Sequence, residues 1–130
     1  MSYEDRFQLA RQQFNQALER LHEVVALDEN AIIRDSLIQR FEFTYELVWK
    51  SMLYWTKEQG EQVPEMQKPI IRAAFRCELI NAPELWEDIK KQRDETSHTY
   101  NESKAIHVSA FVRIKALPAF DTLQEKLNAL

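Results

Sequence analysis

The stretch Arg93-Asp94-Glu95-Thr96-Ser97-His98-Thr99-Tyr100-Asn101 is an unbroken run of polar or titratable side chains, and three of them form a set that can act on a phosphodiester. Histidine takes and gives protons near neutral pH, and a positioned general acid or base contributes about 100-fold to 10,000-fold. Arginine presents a planar fork of donors to a phosphate that gains charge in the transition state. Cleavage of RNA through its own 2′-OH, without a metal, needs no more than these two groups. An arginine and a histidine at this spacing are by themselves a weak motif, and a solvated connector is the plainer reading of the same residues.

Geometry decides whether the set can assemble. In a continuous helix Arg93 and Tyr100 lie about 20° apart, whereas His98 lies about 140° from Arg93. Thr96, Ser97 and Thr99 disfavour helix, and an extended chain there projects His98 and Tyr100 to the same side. A helix ending near Glu95 therefore lets Arg93, His98 and Tyr100 converge. Asp94 stands one helical step before His98 and can orient its imidazole if that turn is helical; a solvated carboxylate is its plainer role. Glu42 and Glu46 sit one turn apart, spaced for acid and base work, for salt bridges with Arg40 or Lys50, or for support of Arg93. Lys90, Lys91 and Arg93 form a basic run suited to RNA phosphates and equally to the negative end of a helix dipole. His22 and His107 fall beside Leu21 and Ile106 with no nucleophile or metal-ligand partner in sequence, and read as structural or exposed. Cys and His show no metal-ligand spacing, and there is no Gly-rich phosphate loop, nucleophile elbow or paired-aspartate signature. Neither a metal nor a cofactor is expected, and any nucleotidyl transfer must come from another polypeptide.

The elements that would carry these residues are helices. Phe7, Ala10, Phe14, Ala17, Leu21 and Val24 recur at alternating spacings of three and four over about residues 3 to 26, the stripe of an amphipathic helix. Leu27-Asp28-Glu29-Asn30 interrupts it, and Asn30 can cap the next helix. That second helix should run from about Ala31 to Gln59 and stop at Gly60, the only glycine, in the position glycine favours past a helix end. Its apolar surface, Ile33, Leu37, Phe41, Thr44, Val48, Met52 and Trp55 widened by Ile38, Tyr45, Trp49 and Tyr54, calls for a partner inside the bundle and one from another subunit. Pro69 suits the first turn of a short helix over Ile70 to about Leu79. Asn81 reads as the cap of a fourth helix over about Ala82 to Gln92, and Asn101 as the cap of a last one that Pro118 kinks or divides. The fold class is thus all-α, an up-and-down four-helix bundle with one additional short helix.

At 130 residues the chain fits a single domain, 1–130, with no room for a second. Cys77 stands alone, so no intrachain disulfide forms and a reducing, cytoplasmic compartment is expected. No apolar stretch approaches the roughly 20 residues of a membrane span. A formal net charge of -4 gives no global pull on nucleic acid, so contact with RNA would depend on local basic clusters.

Arg93-x4-His98-x-Tyr100 resembles the R-x4-H-x-Y signature of HEPN toxins from HEPN/MNT toxin-antitoxin pairs, complete at all three positions. The resemblance continues through Asp35-Ser36-Leu37-Ile38-Gln39-Arg40-Phe41-Glu42-Phe43-Thr44-Tyr45-Glu46-Leu47-Val48-Trp49-Lys50 to the nucleotidyltransferase substrate-binding protein family, a HEPN-related branch, and spans nearly the whole chain. It implies a helical homodimer whose two R-x4-H segments face each other in a cleft, beside a small nucleotidyltransferase partner. In the toxin branch it implies a metal-independent ribonuclease in which Arg93 polarises the scissile phosphate, His98 transfers protons, and AMP placed on Tyr100 by the partner silences cleavage. In the substrate-binding branch it implies a non-catalytic subunit that presents a substrate to the nucleotidyltransferase.

Overall fold

The computed structural model describes residues 1–130 and is helical throughout, without strands. Helix α1 (Tyr3–Val25) opens on a capping box in which the Ser2 hydroxyl accepts from the Asp5 amide at 3.0 Å and Asp5 answers to the Ser2 amide. Helix α2 (Ala31–Glu58) is capped by Asn30, whose side-chain oxygen accepts from Ile33 N–H at 2.8 Å. It stops where the lone glycine demands. Gly60 adopts φ +89°, and the Glu61 amide reaches back to the Thr56 carbonyl, a closure that needs a left-handed residue.

Helices α3 (Gln67–Arg76) and α4 (Pro83–Glu95) come next. Helix α3 begins and ends about three residues before the span expected for it. Glu78 takes φ +64° there, and Leu79 N–H bonds back to the Ala74 carbonyl, so the chain turns through a left-handed residue that no glycine announces. Ala82, not Asn81, occupies the cap position of α4, with Pro83 in its first turn and no side-chain cap bond. Helix α4 also runs three residues past Gln92, to Glu95.

A short 3₁₀ turn, Thr96–His98, leads to α5 (Glu102–Phe111), capped by Asn101. Helix α5 passes through a π turn, Val112–Ala116, into α6 (Leu117–Asn128). Pro118 has no N–H to give and its ring crowds the turn before it. The π turn, where Leu117 N–H bonds to the Val112 carbonyl, takes up that misfit one residue ahead. Helices α1, α2, α4 and the α5–α6 rod form the bundle, and α3 is the additional short helix.

A single cluster of 26 buried residues joins these elements. At its centre Phe120 of α6 meets Phe14 edge-on at 6.4 Å, Phe41 stacked at 6.1 Å and Trp86 at 5.9 Å. Much of the broad apolar surface of α2 is used within the chain, with Leu37, Phe41, Tyr45, Val48 and Met52 buried and Trp49, Tyr54 and Trp55 packed against the core. Ile32 and Phe43 are left 79% and 53% exposed. No helix is long and apolar enough to cross a membrane.

The α1–α2 connection is clasped to the last rod through Glu29. Its carboxylate accepts from Ser109 Oγ at 2.5 Å, Arg113 Nε at 3.0 Å and Arg34 Nε at 3.0 Å, and Arg113 also donates to the Val25 carbonyl. Burial pushes the Glu29 carboxyl up, but the hydrogen bonds from Ser109, Arg34 and Arg113 outweigh it and hold it below the ordinary glutamate value. Because the folded-state pKa is the lower one, the clasp stabilises above the unfolded value and loses that contribution as pH falls through the lowered one. Glu29→Gln should therefore cost about 1–2 kcal/mol near neutral pH, allowing for partial solvent access. Denaturant melts of the two proteins should converge as the pH falls below the lowered pKa of Glu29; a gap that stays constant into acid would count against the clasp.

Candidate active site

Hydroxyl groups shape the polar segment. Thr96 Oγ1 donates to the Arg93 carbonyl at 2.6 Å, Ser97 Oγ to the Asp94 carbonyl at 2.9 Å, and Thr99 Oγ1 to the Thr96 carbonyl at 2.9 Å. Back-bonds of this kind from three neighbouring hydroxyls wind the chain tightly instead of extending it. Of the two paths open to Thr96 to Tyr100, continued helix or extension, the chain takes neither and winds into a 3₁₀ turn. The helix does end at Glu95, as convergence required, but beyond it the chain enters a 3₁₀ turn.

Arg93, in the last turn of α4, is half-buried and held from two sides. Its Nη1 donates to Thr96 Oγ1 at 2.8 Å and lies 3.4 Å from Glu42 Oε2 of α2. Thr96 is buried and closes a small loop, accepting from the Arg93 guanidinium while donating to the Arg93 carbonyl. Both contacts use one nitrogen of a five-donor fork, which leaves the others for a phosphate. His98 is exposed and its ring meets that of Tyr100 edge-on at 6.3 Å. Tyr100 precedes the cap residue of α5 and is 88% exposed.

The supporting carboxylates divide. Glu42 reaches Arg93, whereas Glu46, one turn on, pairs with Lys50 at 3.8 Å. Asp94 takes the Lys90 ammonium at 2.9 Å rather than the His98 ring, because the segment between them leaves the α-helical path. No group of three or more His, Cys, Asp or Glu side chains is placed to hold a metal ion.

Two features beside the site escaped sequence reasoning. Tyr45 of α2 is buried, donating to Gln67 Oε1 at 2.5 Å. Burial first, then the charges of Asp94 and Glu46, push its hydroxyl well above the ordinary tyrosine value, against the pull of Arg93. Tyr45 therefore stays a neutral donor to Gln67. A shallow polar groove beside the motif is lined by Asp35, Ser36, Gln39 and Glu42 of α2 and by Thr99. The spacing of Asp35, Gln39 and Glu42, on one helical face, was the available signal.

Residues 5–129 match a family model described as nucleotidyltransferase substrate binding protein like. The chain belongs to this HEPN-related family. Within the curated proteins, this family member is 35% identical over 88 residues to the probable ribonuclease HepT of Haemophilus influenzae. The aligned stretch covers 62% of this chain and 60% of that relative, so it spans less than two thirds of the relative's length. A crystal structure of a Thermus thermophilus protein superposes with a TM-score of 0.74 at 31% identity, covering 89% of this chain and 96% of that one.

Proposed function

We propose that this chain is the HEPN-type partner of a minimal nucleotidyltransferase, a toxin that cleaves RNA without a metal and is neutralised by AMPylation of Tyr100. The observation that carries the reading is the anchoring of Arg93 by Glu42 and Thr96 at the foot of an exposed turn that also presents His98 and Tyr100. The probable ribonuclease activity in the name of the Haemophilus influenzae relative supports it.

In this reading the free donors of Arg93 bind the scissile phosphate and stabilise the charge that develops on it. His98 removes the proton of the adjacent 2′-OH; the 2′-oxygen attacks phosphorus, and the 5′-oxygen of the next nucleotide leaves and takes a proton from water, while His98 returns its own to solvent. The products are a 2′,3′-cyclic phosphate and a 5′-hydroxyl end. In the silencing step the Tyr100 oxygen attacks the α-phosphate of ATP on the nucleotidyltransferase, releasing pyrophosphate. The added AMP puts bulk and negative charge at the RNA site, and the exposure of Tyr100 suits such an attack. Exposed Phe43 and Ile32 on α2 suit a homodimer that brings two such segments together. The competing reading is a non-catalytic subunit that presents a substrate to the nucleotidyltransferase, which the family description favours.

Purified protein should cleave single-stranded RNA in the presence of EDTA. Its expression should arrest growth, with co-expressed nucleotidyltransferase restoring it. Tyr100→Phe should remain toxic even beside the nucleotidyltransferase, since it has no hydroxyl to modify. Absence of cleavage together with a stable nucleotide-binding complex would establish the non-catalytic reading instead.

A further inference from the structure

The proposed cleavage uses one flank of α4. The other flank opens into a polar groove between α4 and α5, lined by Lys91, Gln92, Glu95, Ser103, Lys104 and His107, with Val108 the only apolar contributor. Two lysines and a histidine face a single carboxylate there, in a protein whose formal charge is -4. Lys104 Nζ is 3.6 Å from Glu95 Oε2. Lys91, unlike its neighbour Lys90 on Asp94, has no carboxylate in ion-pairing range.

Gln92 of α4 and His107 of α5 meet across this groove. The Gln92 Nε2 lies 3.4 Å from His107 Nε2, while its amide oxygen is buried with no hydrogen-bond partner. Turned over, the amide accepts from a protonated Nε2 of His107.

We infer that this groove is a phosphate subsite, holding a backbone phosphate of the RNA strand that flanks the one cleaved at Arg93 and His98. Residues two apart on a helix point about 160° from each other, across a rod about 10–12 Å wide. Arg93 and Lys91 therefore put positive charge on both flanks of the last turns of α4, and a strand lying across that helix places successive phosphates against both. The identity of the ligand as an RNA strand rests on the nuclease reading; the charge and geometry of the groove do not.

The test uses the full chain carrying His98→Ala, so that RNA binds without being cut, and a fluorescently labelled single-stranded RNA oligonucleotide as the probe. Adding Lys91→Ala and Lys104→Ala should weaken binding roughly 10- to 100-fold at about 50 mM salt, and flatten the logarithmic salt dependence by about 1.4, the loss of two phosphate contacts on a single strand. Lys91→Arg with Lys104→Arg should restore both, which a purely structural role of these side chains would not require of the salt slope. Binding within twofold of the parent in the alanine variant, with an unchanged melting temperature, overturns the subsite. So does a parent that binds no RNA, or lysine-dependent binding of ATP without binding of RNA. If the unsubstituted chain cleaves RNA and the alanine pair changes neither affinity nor KM, the subsite alone falls. If the unsubstituted chain does not cleave but RNA binding still depends on the two lysines, the nuclease reading falls and the groove stands as an RNA-phosphate site without its place beside a cleaved bond.

Discussion

His98→Ala should lower RNA cleavage by about 100-fold to 10,000-fold, the range for losing a positioned general acid or base, with no change in melting temperature. The two halves of that expectation have separate grounds. The imidazole is exposed at the end of the 3₁₀ turn, where its close neighbour is the Tyr100 ring, and exposed substitutions away from caps and cores usually change stability by no more than about 0.5 kcal/mol. The turn itself is held by Thr96, Ser97 and Thr99 hydroxyls, not by His98. Cleavage followed by gel or fluorescence, with a thermal melt in parallel, reads both. Activity equal to wild type would remove His98 from the reaction and with it the proposed mechanism. A comparable loss in Arg93→Lys would show that the guanidinium fork matters, since lysine keeps the charge but not the bidentate geometry. Arg93→Ala is the less clean probe, because it also strips Thr96 and Glu42 of their partner.

Phe120→Ala should be the most damaging core substitution, costing about 3–5 kcal/mol, as buried phenylalanines do when the cavity cannot fully collapse. Phe120 is completely buried and touches one aromatic ring from each of α1, α2 and α4. It joins aromatic side chains from three other helices of the bundle. Against a typical total stability of about 5–15 kcal/mol, that loss should lower the melting temperature by roughly 10–20 °C for a domain of this size. Chemical denaturation that locates the midpoint, with the slope checked for constancy, would measure it. A loss under about 1 kcal/mol would mean that the four rings do not form a shared core.

The same contrast between local and long-range causes explains what could be read in advance at the site. The phosphate-and-proton set Arg93 and His98 was visible as residue types at a spacing. That Glu42 or Glu46 could support the arginine was legible too, but not which one, because the two look alike in sequence and only the packing of α2 against α4 selects Glu42. The 3₁₀ winding after Glu95 was not among the paths weighed there: Thr96, Ser97 and Thr99 weaken helix, but their hydroxyls also bond back to the carbonyl three residues earlier. Glu78 turned the chain at the end of α3 without a glycine to mark it, since a bonded chain reversal can hold a non-glycine residue at positive φ.

By itself, the sequence determined the helical character of the chain, the stop at Gly60, the starts at Asn30 and Asn101, and the order Arg93, His98, Tyr100. Helix periodicity, capping and glycine stops act within a few residues, so they are written in neighbouring positions. The tertiary structure alone decided that Arg93 rests on Glu42 and Thr96, that Asp94 turns to Lys90, and that Tyr100 stands out in solvent. It also closed the groove of Lys91, Gln92 and His107 on the far flank of α4. Those outcomes depend on how helices distant in sequence cross and on which face each presents to the other, quantities that no local spacing contains.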